Sequence, residues 1–360
     1  MKILLLGFSK IKFMPYANFY LSCIDKEKND VHLLYWNRDT KKENISDYPS
    51  ITLHEFKRYQ EDNVPYYAKI KSFLKYRKFA KKILKENGFD FIIVLHTMPG
   101  VLLFPQLVKK YKNRFIFDYR DSTFEYKPWF KKITGRLITA SKYTFTSSNG
   151  FRIYFPESEK NKTYTSHNIS KDSLSHRNYE KIKHDKVRIA FWGLMRDEVI
   201  NRKLIERIAD DKRFELHYYG REQQVALNLK KHAKNLSADN VFFHGEYVPA
   251  ERYEFVRSTD IIHNIFNSRN MMLAMGNKYY DGAIFYIPQL CMNNSFMGKT
   301  ATNAKIGFEC DPNDEDFTQK VFDYFTQIDK AEFVFNCDKE LGRVENEYLN
   351  GENILKHLFS

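Results

Sequence analysis

Residues 276–314 read GNKYYDGAIFYIPQLCMNNSFMGKTATNAKIGFECDPND and hold the sharpest grouping of residues that could do chemistry. A turn at Gly276 precedes Asn277 and Lys278, and a helix-like run carries Asp281 one turn further on. Backbone N–H groups and the dipole at a helix start favour phosphate, and a carboxylate one turn in can hold ribose hydroxyls. The stretch reads as a nucleotide site. A buried βαβ unit without a ligand accounts for the same pattern. Two further polar groups follow apolar runs in the first half. His96 comes after residues 89–95, and Arg120 and Asp121 come at the end of 114–119. As strands of a parallel sheet, these runs place the polar groups at the C-terminal edge, where such sheets bind ligands.

The elements that must position these groups alternate throughout. Residues 2–8 form a continuous apolar strand that turns at Gly7, Phe8 and Ser9, followed by helix-like residues 15–24 and a strand at 31–35. A short strand at 51–56 lies in the polar stretch 40–65. Helical spacing covers Tyr66–Asn87 and 101–111, with strands at 89–95, 114–119, 143–147 and 162–166. The polar residues 170–186 read as a linker. The second half repeats the alternation. Its strands lie at 187–192, 214–219, 241–244 and 261–265, and its helices at 198–209, 223–236, 249–258 and 316–326. Glycines Gly193, Gly220 and Gly245 follow the first three of these strands. Residues 350–359 read as a short final helix. The fold class is therefore α/β, with two αβ domains of similar size that each open on a buried strand and a glycine turn. There is no G-x-G-x-x-G and no G-x-x-x-x-G-K-[ST], which argues against a dinucleotide oxidoreductase and a P-loop ATPase.

Composition narrows the class. The 360 residues suffice for two domains, and 43% hydrophobic content marks a folded protein. The four cysteines are far apart with no C-x-x-C, which suits a reducing compartment and argues against zinc. The opening MKILLLGFSKIKF reads as a buried strand in preference to a signal peptide, and no apolar run is long enough to span a membrane. Charge is uneven. Residues 1–186 hold 36 Lys and Arg against 19 Asp and Glu, a net of +17, whereas residues 187–360 hold 22 against 26, a net of −4. A basic half fits nucleic acid, an anionic membrane or a phosphorylated substrate.

Much of that charge lies on Tyr66–Asn87, where Ile70, Phe73, Leu74, Ala80, Ile83 and Leu84 share one face and lysines cover the rest. Two readings stand: a solvated helix docked on a sheet, and a surface helix touching anionic lipid. Trp129 and Phe130 beside Lys131 and Lys132 fit an interfacial anchor, or an ordinary helix start with a core aromatic.

The second-half segments IAFWGLMRDEVINRKLI, LHYYGRE, VFFHGEYVPAERYEFVRSTDIIHNIF, GNKYYDGAIFYIPQL and KIGFECDPND occur in that order. This resembles the donor half of a family-4 glycosyltransferase with the GT-B fold, two Rossmann-like domains facing each other across a cleft. The resemblance covers nearly all of 187–314 and extends more weakly over 1–170. It implies an N-terminal acceptor domain at 1–170, a linker at 171–186 and a nucleotide-sugar domain at 187–344, with residues 345–360 packing back on the first. It also implies a retaining, metal-independent transfer in bacterial surface-glycan synthesis, with a nucleotide-sugar donor (UDP in preference to GDP) as substrate and no cofactor. Arg196 and Lys203 match the cations that neutralise the leaving diphosphate. Asn277, Lys278 and Tyr279 fall near the phosphates. Asp281 takes the place of the ribose-binding Glu. Gly193, Gly220, Arg221, Gly245, Glu246 and Tyr247 fall around the nucleotide.

His96 matches a strand-end His near the reacting sugar, and Gly7, Phe8, Ser9, Arg120 and Asp121 would line the acceptor side. No covalent nucleophile is visible, so the resemblance fits same-face attack assisted by the leaving phosphate. Acceptors of such enzymes are glycans or lipid-linked sugars, so the basic half would rest on the inner face of the plasma membrane through Tyr66–Asn87 and Trp129/Phe130. The sequence departs from the family in two places. Leu273 stands where the first Glu of E-x7-E belongs, with polar residues between Asn267 and Asn270 as substitutes, and Tyr286-Ile287-Pro288 replaces Gly-x-Pro. These departures keep open a catalytically inactive GT-B partner subunit. A nucleic-acid-binding protein lacks any helix-turn-helix, zinc or RNP signature here.

Overall fold

Short apolar runs form two sheets in which every pairing is parallel, because each strand returns through a crossover packed on a face. The computed structural model describes residues 1–43, 48, 50–61 and 64–360. Parts of the 40–65 connection (44–47, 49 and 62–63) lie outside the described residues. The chain divides into two compact units, Met1–His167 with Asn346–Ser360, and Asn168–Glu345.

The first unit contains β1 (Lys2–Leu6), β2 (Asp30–Asn37), β3 (Thr52–Lys57), β4 (Phe91–Leu95), β5 (Phe115–Tyr119), β6 (Tyr143–Thr146) and β7 (Thr163–Thr165), in the order β3-β2-β1-β4-β5-β6-β7. The second contains β8 (Val187–Trp192), β9 (Phe214–Tyr219), β10 (Val241–Gly245), β11 (Ile261–Asn264), β12 (Gln289–Met292) and β13 (Gly307–Cys310), ordered β10-β9-β8-β11-β12-β13. Strand order reverses between β1 and β4 and again between β8 and β11. Such reversals open the crevices where α/β sheets take ligands. The architecture is two-domain α/β.

Several elements differ from the sequence reading. Residues 101–111 are not one helix. Thr97–Leu102 and Phe104–Lys109 are separate, broken at Leu103, where Pro105 cannot continue the backbone ladder. The polar stretch after Asn293 contains a helix, Phe296–Asn303, started by the Ser295 hydroxyl accepting the Gly298 N–H at 2.9 Å. The polar residues 171–186 belong to the second unit. The Ile182 N–H donates to the Arg257 carbonyl at 2.8 Å, and Tyr179 Oη donates to the Phe285 carbonyl at 2.5 Å.

The final helix is not short: it runs from Lys330 to Phe359, starting in the second unit and ending in the first. Leu355 and Phe359 join the first unit's core, and Asn29 donates to the Phe359 carbonyl at 3.1 Å. Burying each of these side chains contributes on the order of 2 kcal/mol. A Cβ at Gly351 would lie 3.1 Å from both Phe145 and Phe19, so the two rings would have to give way by a few tenths of an ångström. None of the described helices is long and apolar enough to cross a membrane.

Candidate functional site

Three glycine turns form the C-terminal edge of β8, β9 and β10. Gly193 has φ +120°, and a Cβ on Gly220 would fall 2.0 Å from the Gly193 carbonyl oxygen. The Gly220 N–H donates to the Gly245 carbonyl at 2.7 Å, so the three turns pack backbone on backbone. No side chain larger than hydrogen fits at Gly220, and the edge stays open above it.

Lys278, the second residue of the helix Asn277–Ile284, reaches this edge. Its ammonium lies near the Gly193 turn, 4.3 Å from the Phe191 ring centre and 5.4 Å from that of Phe266. Burial pulls the ammonium down to about 8, with Asp281 opposing the shift and the positive Arg196 adding to it. Among the described residues, neither Lys278 nor Arg196 has a hydrogen-bond or ion-pair partner for its charged group. Two neighbouring cations with no direct carboxylate contact among the described residues, beside a glycine edge and a helix start, can hold a di-anion. Asn277 is exposed at the first turn of the same helix.

Asp281 is 4% exposed and held from two sides. Its Oδ2 accepts from the Trp192 indole at 2.9 Å, and its Oδ1 lies 3.7 Å from the Arg252 guanidinium. Burial raises its carboxyl above the usual range, and Arg252, Trp192 and Lys278 oppose that. Arg252 also donates to Ser173 at 2.7 Å, and Tyr253 donates to Asp172 at 2.6 Å, so residues 172–173 brace this carboxylate. Arg221 and Glu246 form an exposed ion pair at 2.8 Å between the β9 and β10 turns, and Tyr247 packs edge-on to Phe255.

Two of the expected donor residues lie elsewhere. Tyr279 is fully buried and its hydroxyl donates to Glu340 at 2.7 Å, because its position on the helix faces the core. Lys203 pairs with Glu206 one helical turn on, at 3.0 Å, so its charge is already met. Leu273 sits in the turn before the Asn277 helix, not on it.

The residues that hold Arg196 in place were not anticipated from the sequence. The His263 Nδ1 accepts the Ile265 N–H at 3.1 Å, so Nε2 carries the proton and donates to Asn201 Oδ1 at 2.9 Å. Burial, with Lys278 adding to it, pushes the imidazole down to about 3, so it is neutral. Tyr218 donates to the same oxygen at 2.9 Å. The Asn201 amide then donates to the Arg196 carbonyl at 2.8 Å and the Asp197 carbonyl at 3.2 Å. A polar Asn inside the apolar stripe Ile200, Leu204, Ile205, Ile208 was the available signal.

The first unit's edge is built differently. His96, between β4 and the helix Thr97–Leu102, has φ +88° and ψ 156°. That region is open essentially to glycine alone, and holding it costs roughly 1–3 kcal/mol. His96 Nδ1 accepts from the Met98 N–H at 3.4 Å, and Nε2 lies 3.5 Å from Asp121 Oδ2. Arg120 does not line an open surface. It is buried, donating to Ser166 Oγ at 2.7 Å and to Asp118 at 3.4 Å, with Tyr16 below its plane at 4.5 Å. Burial pushes the Asp118 carboxyl up to about 6, with Arg120 opposing.

Phe8 is also buried, edge-on to Trp36 and Tyr76, while Tyr76 donates to the Gly7 carbonyl at 2.6 Å. Ser9 is partly exposed, and its carbonyl accepts from the Trp36 N–H. On the helix Tyr66–Asn87, Phe73, Ala80, Ile83 and Leu84 are buried as expected, with Tyr76. Ile70 and Leu74 are not: they are more than half exposed and form an outward stripe with Tyr67. Phe130 is buried, whereas Trp129 is 59% exposed.

No family model matches the sequence, and no curated protein matches it. Solved structures do match over their whole length. A glycosyltransferase from Rickettsia africae ESF-5 is 14% identical, with 100% of this chain and 99% of that chain covered and a TM-score of 0.70. Anabaena Alr3699/HepE, solved with UDP and glucose, is 12% identical over 100% of both chains, with a TM-score of 0.65. The N-terminal domain of Candida albicans trehalose-6-phosphate phosphatase is 12% identical over 99% of this chain and 97% of that chain, with a TM-score of 0.67. Proteins of different names thus share one architecture, so the reaction must be read from the residues. The chain has the two-domain α/β GT-B fold.

Proposed function

We propose that this chain is a retaining, metal-independent glycosyltransferase using a nucleotide-sugar, UDP-linked in preference to GDP-linked. The observation that carries the reading is the pair Lys278 and Arg196, cations that make no direct ion pair among the described residues, at the glycine edge of β8–β10. The presence of UDP and glucose in the Anabaena structure supports a UDP-sugar donor. When the sugar C1–O bond breaks, charge grows on the departing diphosphate, and these two groups oppose it there. In same-face attack the acceptor oxygen bonds to C1 while its hydroxyl proton passes to the departing phosphate oxygen. His96, with one ring nitrogen toward Asp121, is the first-unit group suited to orient a sugar hydroxyl. Asp281, braced by Trp192 and Arg252, keeps the Lys278 helix in place and leaves less capacity for ribose than an open carboxylate would.

The acceptor reading is a glycan or lipid-linked sugar in bacterial surface-polysaccharide synthesis, at the inner face of the plasma membrane. It rests on the +17 balance of residues 1–186 and the exposed Tyr67, Ile70 and Leu74 beside Lys71 and Lys75. Such a stripe can sit in the headgroup layer while lysines meet anionic lipid. A second reading, a GT-B subunit that binds nucleotide without transfer, is favoured by Leu273 and by the buried Asp281. Incubation with UDP-sugars in EDTA, followed by NMR of the released or transferred sugar, separates the two. The first predicts turnover with retained anomeric configuration. Inversion contradicts the retaining mechanism, and UDP binding without turnover selects the second reading.

A further inference from the structure

A cavity of about 730 Å³ in the second unit is not at the glycine edge. It is bounded by Val187, Asp260 and Pro288, which stand at the N-terminal ends of β8, β11 and β12. In a parallel sheet that is the edge away from Gly193, Gly220 and Gly245. Residues 177–187 roof it as an extended strap, and the turn between Phe317–Thr326 and Lys330–Phe359 forms its far wall. The strap is pinned at Tyr179 to the Phe285 carbonyl, at Ile182 to the Arg257 carbonyl, and at Lys181 to Asp260 at 3.1 Å. These ties keep the space open without filling it. Its volume falls within the range of small-molecule sites, about 300–1,000 Å³.

The lining is divided by chemistry. Tyr179, Phe285, Phe325, Ile328, Phe333 and Val334 give an apolar interior. Cations outnumber acids among the remaining residues. Arg177 pairs with Asp338, Lys181 with Asp260 and Lys186 with Glu215. Lys183 and Lys330 have no carboxylate partner among the described residues; Asp185 is the lining acid in the same position. An apolar pocket with unpaired lysines fits a ligand with one hydrocarbon chain and one anionic head, since each part meets its complement.

We propose that this cavity binds a single-chain anionic amphiphile, its chain against Phe325 and Phe333 and its head at Lys183 and Lys330. The site is independent of the donor reading, and its failure would leave that reading untouched. The test is calorimetric titration of the full chain with dodecyl phosphate, inorganic phosphate and the uncharged dodecyl maltoside, all below micelle formation. Dodecyl phosphate should bind, and the other two should bind at least about tenfold more weakly. Val334→Asp, which changes a partly exposed side chain, should abolish binding without lowering the melting temperature. Lys183→Glu with Lys330→Glu should weaken it, and Asp185→Asn should strengthen it. Equal binding of dodecyl maltoside, equal binding of inorganic phosphate, or undiminished binding to Val334→Asp would overturn the proposal.

Discussion

In the first unit, the cation at the β5 edge is held by groups inside the protein. Arg120 is spent on Asp118 and Ser166, and Asp118 is fully buried. What remains at that edge is His96 in a backbone conformation that costs energy, facing Asp121. In the second unit the edge after β8 has the opposite character. Its backbone turns at glycines, and among the described residues its cations Lys278 and Arg196 have no hydrogen-bond or ion-pair partner for their charge. The same sheet topology therefore supports two strategies. One stores strain in the backbone of a single residue, and the other leaves charge unmet for a ligand to meet.

The largest effect should come from the unmet charge. Arg196→Ala and Lys278→Ala should each cut turnover of a UDP-sugar by roughly 10²–10³, the size expected for loss of one transition-state charge partner. Arg196→Ala should keep the wild-type melting temperature, Lys278→Ala should lower it as the contacts with the Phe191 and Phe266 rings are lost, and Lys203→Ala should leave turnover nearly unchanged. A loss with Lys203→Ala equal to that with Arg196→Ala would break the assignment. The strain is tested by His96→Gly. Activity should fall, while stability rises by about 1–3 kcal/mol as the backbone relaxes. A drop in melting temperature would mean that His96 is held for packing.

A smaller effect is expected with pH. Lys278 has its pKa lowered to about 8, so its ammonium is present below that pH and lost above it. UDP affinity should weaken as pH rises through about 8, and Lys278→Arg should flatten the profile, because arginine stays charged. An unchanged profile in Lys278→Arg would assign the titration to another group. The smallest effect concerns the surface. Replacing Tyr67, Ile70 and Leu74 together by Ser should reduce co-sedimentation with phosphatidylglycerol vesicles and leave the melting temperature in place. Equal sedimentation would place any lipid contact elsewhere.

The central strands were legible because buried parallel strands read as apolar runs, whereas β12 (Gln289–Met292) is too short to stand out and was not read as a strand. The glycine turns were legible because Gly193 and Gly245 have positive φ and Gly220 has no room for a Cβ, and Lys278 because it stands at the start of a helix-like run. Other features depend on which way a side chain faces, and spacing does not fix that. On Tyr66–Asn87 the helical period admits two apolar stripes, and tertiary packing chose Phe73 and Tyr76 over Ile70 and Leu74. Tyr279 and Lys278 are adjacent on one helix, yet one faces Glu340 and the other the glycine edge. The helix Phe296–Asn303 was hidden by Gly and Thr with no apolar stripe, and it depends on the Ser295 cap and on packing. The length of Lys330–Phe359 was hidden because its buried Phe333, Cys337, Leu341 and Val344 are scattered among charged residues, and Gly342 and Gly351 lie inside the helix. The Asn201–His263 brace joins residues 62 apart in sequence, which only the fold brings together.

Calorimetric titration with UDP tests the central claim most directly. Wild-type protein should bind at micromolar to millimolar concentration, and Lys278→Ala and Arg196→Ala should each weaken binding by about tenfold or more, corresponding to about 1.4 kcal/mol. Undiminished UDP affinity in both variants would contradict the assignment of the glycine edge as a diphosphate site.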